Sequence, residues 1–303
     1  MSQAHLHASE LFSVKGRVAV ITGEAVDWEA SWRVPSPSTE LPRSSSWAAA
    51  KRPFETLPPR VREGIIIPVQ CDVTSKESLD AAYKSIAEKT DYVEVLFVNS
   101  GINGPSMVPG APGPDGPPPL TEVREKLYSI PMSEFNKTMD VNVTGAYCTI
   151  LAFLPLLEAA NKRRPAPQRG VLTPPTAQVI ITSSIAAFNR RPAHGIAYNV
   201  SKAAVDYLTK ACSTMMLPYH IRVNGIAPGL YFSEMSQSYF GGDSTAGISE
   251  GEFPAEIIPL TRSGSEQDFA GVVIWLASAS AGFLNGNIVL TDGGRVAQVP
   301  STY

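Results

Sequence analysis

The sequence predicts an α/β fold, a doubly wound parallel sheet with helices on both faces. Three observations lead to this class: short apolar runs rich in β-branched residues, helical patterns between them, and turn-forming residues after each run. Parallel strands are buried on both faces and so read as continuous apolar runs, and their alternation with helices is typical of this architecture. The predicted strands cover residues 17–22, 64–70, 93–98, 178–182, 221–226 and 287–290.

Helical patterns fill the intervals between these strands. Residues 74–77 (T-S-K-E) and 265–268 (S-E-Q-D) each predict a capping box at the start of a helix. A long helical pattern runs from Ser133 to about residue 161. Its most apolar part, residues 146–157, is too short and too interrupted to be expected to span a bilayer.

The composition is that of a soluble globular protein without a nucleic-acid-binding surface. Its 303 residues are 44% hydrophobic and 17% charged, the net charge is −3, and no basic stripe or acidic block stands out. The three cysteines, Cys71, Cys148 and Cys212, lack metal-ligand spacing, which predicts reduced thiols and no metal site. Because residues 1–16 contain no apolar run suited to a signal peptide, we expect a cytoplasmic protein with no membrane partner.

We expect a single domain over residues 1–303, with two departures from regular structure. Residues 103–120 form a loop insertion, because seven prolines between Pro105 and Pro119 prevent regular packing. This loop follows a strand end, and strand ends form the ligand side of such a sheet. The loop therefore either borders the entrance to a substrate site or is a surface loop without a role in binding. The second departure is an irregular segment at about 24–60, which is rich in Ser, Pro, Arg and Trp and lacks usable periodicity.

Tyr198 and Lys202 form the strongest chemical pattern, because residues four apart lie on one face of a helix. A free phenol has a pKa of about 10 and is a poor acid–base catalyst at neutral pH. A cation one turn away lowers that pKa, and the hydroxyl of Ser184, at the preceding strand end, can hold an oxygen beside the phenol. The set suits proton transfer at an alcohol oxygen, although Tyr–Lys pairs at this spacing also occur without chemistry.

An ordered series of motifs surrounds this pair, and with it the chain resembles the short-chain dehydrogenase/reductase family, especially fungal members near 3-oxoacyl reductases. The resemblance covers residues 11–22 and about 64–294. It implies a Rossmann-like fold and an NAD(P)(H)-dependent oxidoreductase that interconverts a carbonyl and a secondary alcohol. The motifs are Asp72-Val73, 98–101 (V-N-S-G), 142–145 (N-V-T-G), Ser184, Tyr198 with Lys202, Pro228-Gly229 and 292–294 (D-G-G).

The resemblance also implies a role for each catalytic residue. Tyr198 is the general acid/base, and Lys202 lowers its pKa and binds the nicotinamide ribose. Ser184 orients the substrate carbonyl, and Asn142 organises a water that relays protons. Ser184 stands 14 positions before Tyr198, one more than is usual in the family, and Ser183 would be two more, so Ser184 is preferred.

The same resemblance places a dinucleotide along the strand ends, NADP with NAD as the alternative. Asp72 contacts adenine, Asn99 lines the adenosine ribose, and the segment after Pro228 packs against nicotinamide. The substrate is a small-molecule ketone or alcohol, with a 3-oxoacyl thioester as one candidate. The long helices after Ser133 and around Tyr198 pair copies of the chain into a homodimer or homotetramer. The implied cofactor-binding residues are Thr22, Gly23, Asp72, Val73, Asn99, Gly101, Tyr198, Lys202, Pro228, Gly229, Tyr231 and Ser233.

The glycine-rich turn that should follow the first strand, where backbone amides receive a pyrophosphate, is missing. Residues 22–29 read T-G-E-A-V-D-W-E, which is what codons for the family's T-G-G-G-S-G-L-G become when one G is deleted from the third codon. Read in the same shifted frame, residues 43–50 decode to a run of aliphatic-type residues, then a glycine and two arginines. Such a peptide would form a buried strand followed by a pocket for a 2′-phosphate. We therefore hypothesise compensating frame shifts, or a mistaken gene model, over about residues 24–57, the alternative being a diverged loop. The Ser/Pro-rich residues present here should open the sheet on this side.

Three functions compete on this sequence. The first is an NADP(H)-preferring carbonyl reductase or alcohol dehydrogenase. The second is a catalytically impaired protein of the same fold, because the phosphate loop is missing. The third, a sugar-nucleotide epimerase or dehydratase, is disfavoured because the chain ends soon after Asp292, which leaves no separate substrate domain. Cofactor binding separates the first two.

Overall fold

A parallel sheet of seven strands organises the described part of the chain. The structure, a computed structural model, describes residues 7–23, 46–48, 66–106, 108, 116–192, 194–233, 235–243 and 245–303. The strands are β1 (Ala19–Ile21), β2 (Ser46–Ala48), β3 (Ile66–Pro68), β4 (Val95–Val98), β5 (Gln178–Thr182), β6 (Arg222–Pro228) and β7 (Ile288–Thr291). Their spatial order is β3-β2-β1-β4-β5-β6-β7.

The strand order reverses beside β1, which pairs with β2 on one side and with β4 on the other. The parallel registers place Val20 opposite Trp47 and opposite Leu96. In doubly wound sheets a crevice opens at such a reversal, outside the carboxyl ends of the strands, and ligands bind there. The predicted fold class is confirmed, and β5 has the bounds predicted for it.

Strand β2 lies inside the segment that we expected to be irregular. Ser46–Ala48 pairs in parallel with β1 and with β3, so the sheet is closed where we expected it to be open. The expectation fails because a strand between two neighbours is held by backbone N–H and C=O groups, which every non-proline residue carries. The remaining residues of the predicted irregular segment, 24–45 and 49–60, lie outside the described residues, and so does the predicted phosphate-binding turn.

Seven α-helices lie within the described ranges. Helix α2 starts one residue later than its pattern indicates, because Ser75 rather than Thr74 is the N-cap and accepts from the Ser78 amide at 3.2 Å. Thr74 instead donates its amide and hydroxyl to the Asp72 carboxylate. The capping box predicted at 265–268 is confirmed. The helices are α1 (Ala8–Leu11), α2 (Lys76–Ala87), α3 (Leu120–Tyr128), α4 (Met132–Met139), α5 (Ala146–Lys162), α6 (Ile196–Met215) and α7 (Glu266–Ala277).

The sheet has an apolar core on each face. Successive residues of a strand point to opposite faces, so Leu96 and Val98 enter one core while Val95 and Phe97 enter the other. Helices α2, α5 and α6 pack on the first face, and α7 packs on the second. The loops at the carboxyl edge of the sheet are therefore held between two layers of helices.

Helices α4 and α5 join through a π-helical segment, Asp140–Gly145, into one helix of 31 residues, Met132–Lys162. By length and composition it could cross a membrane, with a mean hydropathy of 1.6 in its most apolar window, so the expectation that it is too short is wrong. The pattern reads as interrupted because Pro155 lies inside the helix and the π-helical segment shifts the period. Buried core helices meet the same criterion, and here Phe153 and Leu157 are buried against the sheet.

Candidate active site

Hydrogen bonds join the loops after β1, β4 and β5 at the carboxyl edge of the sheet. The Thr22 hydroxyl accepts from the amides of Asn99 and Ser100, at 3.1 and 3.3 Å. The Thr182 hydroxyl donates to Asn99 Oδ1 at 2.9 Å. These bonds hold Asn99 between the two neighbouring strands. Thr22, one of the residues predicted to bind the cofactor, is thus a support for Asn99.

Tyr198 and Lys202 lie on one face of α6, and both side chains are buried. The Lys202 Nζ donates to the Thr182 carbonyl oxygen at 2.8 Å and lies 5.8 Å from the centroid of the Tyr198 ring. The Ser184 side chain, from the loop after β5, lies close enough to the Tyr198 phenol to lower its pKa. Ser184 also accepts from the Ala186 amide at 3.1 Å, which fixes its side chain at the start of a short 3-10 turn. The structure therefore brings together the predicted Ser, Tyr and Lys.

The neighbouring serine, Ser183, points toward Asp206 rather than toward Tyr198. Its hydroxyl donates to the Asp206 carboxylate, and the two residues are 2% and 8% exposed. Because side chains alternate along an extended backbone, only one of two consecutive serines can face Tyr198. The geometry favours Ser184, in agreement with the choice made from its spacing.

Burial controls the protonation of the site. It raises the pKa of Tyr198, and the Ser184 side chain opposes that change. It also lowers the pKa of Lys202 to about 8, and the Asp206 carboxylate opposes that change. Among the described residues Lys202 is not a cause of the shift in the Tyr198 pKa, so the expected lowering is not found; its ammonium, 5.8 Å from the ring centroid, donates to the Thr182 carbonyl. Tyr198 is therefore a protonated acid at neutral pH.

Asn142 lies in the π-helical segment, a type of wide turn that is frequent at functional sites. Its Oδ1 accepts from the Ile102 amide at 2.8 Å, and its Nδ2 donates to the Ile102 carbonyl and to the Ser201 hydroxyl, both at 2.9 Å. Ser201 in turn donates to the Tyr198 carbonyl at 2.7 Å. Asn142 thus ties the loop after β4 to the helix that carries Tyr198. Its predicted role in a water relay stays a prediction.

Two glycines allow close approaches at this edge. A Cβ at Gly101 would lie 3.3 Å from Asn142 Oδ1 and 3.5 Å from Lys202 Nζ. Gly23 has a φ of +111°, and a Cβ there would lie 2.9 Å from Asn99 Nδ2. At Gly101 the bare backbone lies against the Lys202 ammonium, and we call this junction the Gly101 cradle; an ammonium group at the carboxyl edge suits the ribose of a dinucleotide. The turn after Gly23, where pyrophosphate-binding amides belong, lies outside the described residues.

Asp72 and Val73, which follow β3, take part in local structure. The Asp72 carboxylate accepts from the amide and hydroxyl of Thr74, at 2.9 and 2.7 Å. A Cβ at Gly145 would lie 2.9 Å from a methyl group of Val73, so the glycine of the N-V-T-G motif allows the long helix to approach this turn. Two of the predicted motifs are thus packed against each other. The predicted contact between Asp72 and adenine stays a prediction.

The chain after β6 approaches the end of β7 closely. The Gly229 amide donates to the Thr291 carbonyl at 2.9 Å, and a Cβ at Gly229 would lie only 2.7 Å from Asp292 Cα. A side chain at this position would collide with backbone, so the glycine of the Pro228-Gly229 motif is required by the approach of the two strand ends. The same approach places the chain after Pro228 at the carboxyl edge, where the nicotinamide was predicted.

Tyr231 and Ser233, predicted to reach toward the nicotinamide, have partners within the protein. The Tyr231 hydroxyl is hydrogen bonded to the Thr291 hydroxyl, and its ring packs edge-to-face on Phe269 with centroids 5.7 Å apart. The Ser233 hydroxyl is 3.0 Å from that of Ser236. Both residues thus shape the segment beside the site through packing and turn formation.

Two residues near the site were missed by sequence reasoning. His194, in the turn before α6, lies edge-to-face against Tyr198 with centroids 5.7 Å apart, and its ring centroid lies 5.9 Å from that of Tyr239. Burial lowers the pKa of His194, so its ring is neutral at neutral pH. Asp206 is the second, and its signal was present in the sequence, because it follows Lys202 by four positions and continues the face of Tyr198.

Comparison with known proteins agrees with this geometry. Residues 47–295 match the family model described as Enoyl-(Acyl carrier protein) reductase. The chain is 39% identical over 302 residues to the short-chain dehydrogenase/reductase PhomF of Diaporthe leptostromiformis, an alignment that covers 98% of this chain and 97% of the relative. It is 31% identical over 310 residues to the short-chain dehydrogenase/reductase VdtF of Byssochlamys spectabilis, covering 98% of each.

Solved structures share the fold over most of their length. The RhlG/NADP active-site complex of Pseudomonas aeruginosa matches with a TM-score of 0.68 at 24% identity, covering 94% of this chain and 98% of that one. The 3-ketoacyl-(acyl-carrier-protein) reductase of Brucella melitensis, complexed with NADH, matches with a TM-score of 0.66 at 22% identity. That match covers 94% of this chain and 100% of the reductase.

A doubly wound sheet with a Ser–Tyr–Lys set at its carboxyl edge defines an oxidoreductase that uses a nicotinamide cofactor and a small-molecule substrate. The family model spans most of the chain, and relatives above 30% identity cover nearly all of it. The chain therefore belongs to the short-chain dehydrogenase/reductase family.

Proposed function

We propose that this protein reduces a carbonyl group of a small molecule to a secondary alcohol and catalyses the reverse reaction, with Tyr198 as the general acid/base. The observation that carries the proposal is the convergence of Ser184, Tyr198 and Lys202 at the carboxyl edge of the sheet, beside the cradle at Gly101. A bound nicotinamide dinucleotide supplies the hydride. The residues of this chain supply the proton and hold the reacting oxygen.

Tyr198 holds the proton that the reduced oxygen needs. Because burial raises the pKa of its phenol, Tyr198 is protonated at neutral pH and can donate to a carbonyl oxygen as negative charge develops there. Ser184, within hydrogen-bond reach of the same phenol, orients that oxygen. In the oxidation direction the Tyr198 phenolate accepts the alcohol proton, and the Ser184 hydroxyl stabilises the phenolate.

Lys202 is the residue that we assign to the cofactor ribose. Among the described residues one of its N–H groups donates to the Thr182 carbonyl, and an ammonium carries three donors. The Nζ borders the cradle at Gly101, since a Cβ there would lie 3.5 Å from it. Asn142 supports the same cradle by holding the backbone of Ile102.

We assign the apolar part of the substrate to a cavity of about 280 Å³ beside the start of α6. Its lining includes Ile196 and Ala197, the two residues before Tyr198, and Pro105 from the loop insertion. The proline-rich loop would then border the entrance to the substrate site, one of the two roles that the sequence left open. An apolar lining suits an alkyl ketone, and a 3-oxoacyl thioester is our first candidate because structural neighbours include a 3-ketoacyl reductase.

We also propose that copies of the chain associate through α5 and α6 as a homodimer or homotetramer. Both helices carry exposed apolar side chains, and contiguous exposed apolar surface is typical of interaction sites. On each helix these side chains are spaced four or seven residues apart, which places them on one face of that helix. They are Tyr147 and Leu151 on α5, and Ile196, Val200 and Tyr207 on α6.

The proposed reaction predicts cofactor oxidation coupled to alcohol formation. Purified protein, given NADPH and a panel of alkyl ketones and 3-oxoacyl thioesters, should consume the reduced cofactor and release the matching secondary alcohol. The measurement is the loss of reduced-cofactor absorbance together with mass spectrometry of the product. Cofactor binding without turnover on the whole panel would instead support the catalytically impaired protein of the same fold.

Cofactor choice is the second part of the proposal, and we expect NADPH to be preferred over NADH. The support is the Arg pair decoded by the alternative frame, since two guanidinium groups can grip a 2′-phosphate bidentately. A variant with the alternative frame restored over residues 24–57 should bind NADPH at least about 10-fold more tightly than the present chain, on the order of one strong charged hydrogen bond. Fluorescence titration with both cofactors measures this difference. Equal, tight NADPH binding by both proteins would show that residues 24–57 are a genuine loop.

A further inference from the structure

Three consecutive residues at the end of β5 each face a different turn of α6. The partners on α6 are spaced four residues apart and therefore form one face of the helix. The first and last of the three contacts belong to the site already described, while the middle one has no role in it. The pairs are Thr182 with Lys202, Ser183 with Asp206, and Ser184 with Tyr198.

The middle pair places a carboxylate in the protein interior. Asp206 is 8% exposed, and its described hydrogen-bond donor is the Ser183 hydroxyl, itself 2% exposed. Aspartate is almost never this buried unless it is paired, because an ion loses its hydration on burial. The cost is offset here by Ser183 and by the positive charge of Lys202 one turn away.

We propose that Asp206 is a positioning residue for the active site: its carboxylate holds Ser183, and hence the Ser184 backbone, and keeps the Lys202 ammonium charged. This inference rests on the proposed function, because its importance depends on Tyr198, Ser184 and Lys202 acting in the reaction. Asp206 contacts neither substrate nor cofactor in this assignment. It acts through the two residues on which the proposed proton transfer and ribose contact depend.

The charges around Asp206 make the effect depend on pH. Lys202 and Lys210 act on it from its own helix, and the Ser183 hydroxyl faces it from the sheet. Burial raises the pKa of Asp206 to about 6, and burial lowers the pKa of Lys202 to about 8. Between these values the carboxylate and the ammonium are both charged. Below about 6 the carboxyl group becomes neutral and its support for the ammonium is lost.

The substitution Asp206→Asn tests this, because asparagine has the shape of the protonated acid and can still accept from Ser183. At pH 5 the wild-type carboxyl group is itself neutral, so the two proteins should have similar kcat/KM. As pH rises, only the wild type gains a carboxylate, and the wild-type advantage should approach about 10-fold by pH 8, the equivalent of one pKa unit on Lys202. The dissociation constant of NADPH, measured over the same pH range, should follow the same curve.

The matched control is Asp80→Asn, which removes an exposed aspartate from α2. The kcat/KM of this variant, divided by that of the wild type, should stay near one at every pH. If the kcat/KM of Asp206→Asn were the same fraction of the wild-type value at every pH, the proposal would be overturned, because a merely structural role lowers activity equally at all pH values. If Asp206→Asn fails to fold, Ser183→Ala takes its place, and a wild-type pH profile in that variant overturns the proposal. If the wild type itself turns over no ketone, the proposed function fails, and the pH dependence of cofactor binding still tests Asp206.

Discussion

Replacing Tyr198 with phenylalanine should lower turnover by about 10²- to 10⁴-fold, the usual contribution of a general acid/base, while the fold stays intact. Phenylalanine keeps the ring that packs against His194 and removes only the hydroxyl. The loss should appear in kcat with little change in cofactor affinity, because the phenol acts on the substrate oxygen. Steady-state kinetics, with circular dichroism to verify the fold, measures it.

Tyr207→Phe is the matched control for this substitution. Tyr207 lies on the same helix, is 75% exposed, and has no part in the proposed chemistry. Its variant should keep wild-type turnover. If Tyr198→Phe retained turnover close to that of Tyr207→Phe, the proton would have to come from another group, and Tyr198 would be removed from the mechanism.

Replacing Lys202 with methionine should weaken cofactor binding by about 10- to 100-fold, the worth of one or two charge-assisted hydrogen bonds, and should lower turnover with it. Methionine fills a similar buried volume but cannot donate to the Thr182 carbonyl or to a ribose. Carbonyl reduction needs the protonated phenol, so its rate falls as pH rises through the pKa of Tyr198. Because Lys202 is not among the causes of the shift in the Tyr198 pKa, the alkaline limb of the profile should stay where it is in the wild type.

The two readouts for Lys202 separate its two predicted roles. Weaker NADPH binding with an unmoved pH profile would mean that Lys202 acts on the cofactor alone, as its bond to Thr182 and its distance of 5.8 Å from the Tyr198 ring favour. Unchanged binding and an unchanged profile together would make Lys202 an ordinary buried lysine. Lys89→Met, an exposed change just after α2 and outside the site, is the control.

The sheet could be predicted where side-chain pattern and burial agree. Strand β5 is apolar because it is buried on both faces, and its predicted bounds match the structure. The capping box at residues 265–268 was also predictable, because its chemistry lies in the four residues themselves. Strand β2 was not predictable in this way, since Ser46–Ala48 has no apolar alternation and is paired through its backbone.

The site divides along the same line. Most of its motifs could be located because they follow strand ends, and the carboxyl ends of parallel strands all lie at one edge of the sheet. The particular contacts depend on tertiary structure. Spacing alone suggested that Ser184 rather than Ser183 faces Tyr198. The position of Asn142 depends on a π-helical segment, which a pattern with a period of 3.6 residues does not reveal. Asp206 was visible only as a spacing of four, which many structural residues share.

The order of the strands has a consequence for how such a protein can change. Every side chain that we assign to proton transfer lies on β5, α6 or the loop between them, while the segment to which we assign cofactor choice connects β1 to β2 on the far side of the reversal. The two halves meet through the pairing of β1 with β4 and of β4 with β5, and through Asn99, which Thr22 and Thr182 hold from either side. The architecture is therefore modular. Exchanging residues 24–65 between relatives should transfer coenzyme preference as one unit and leave substrate chemistry with the recipient.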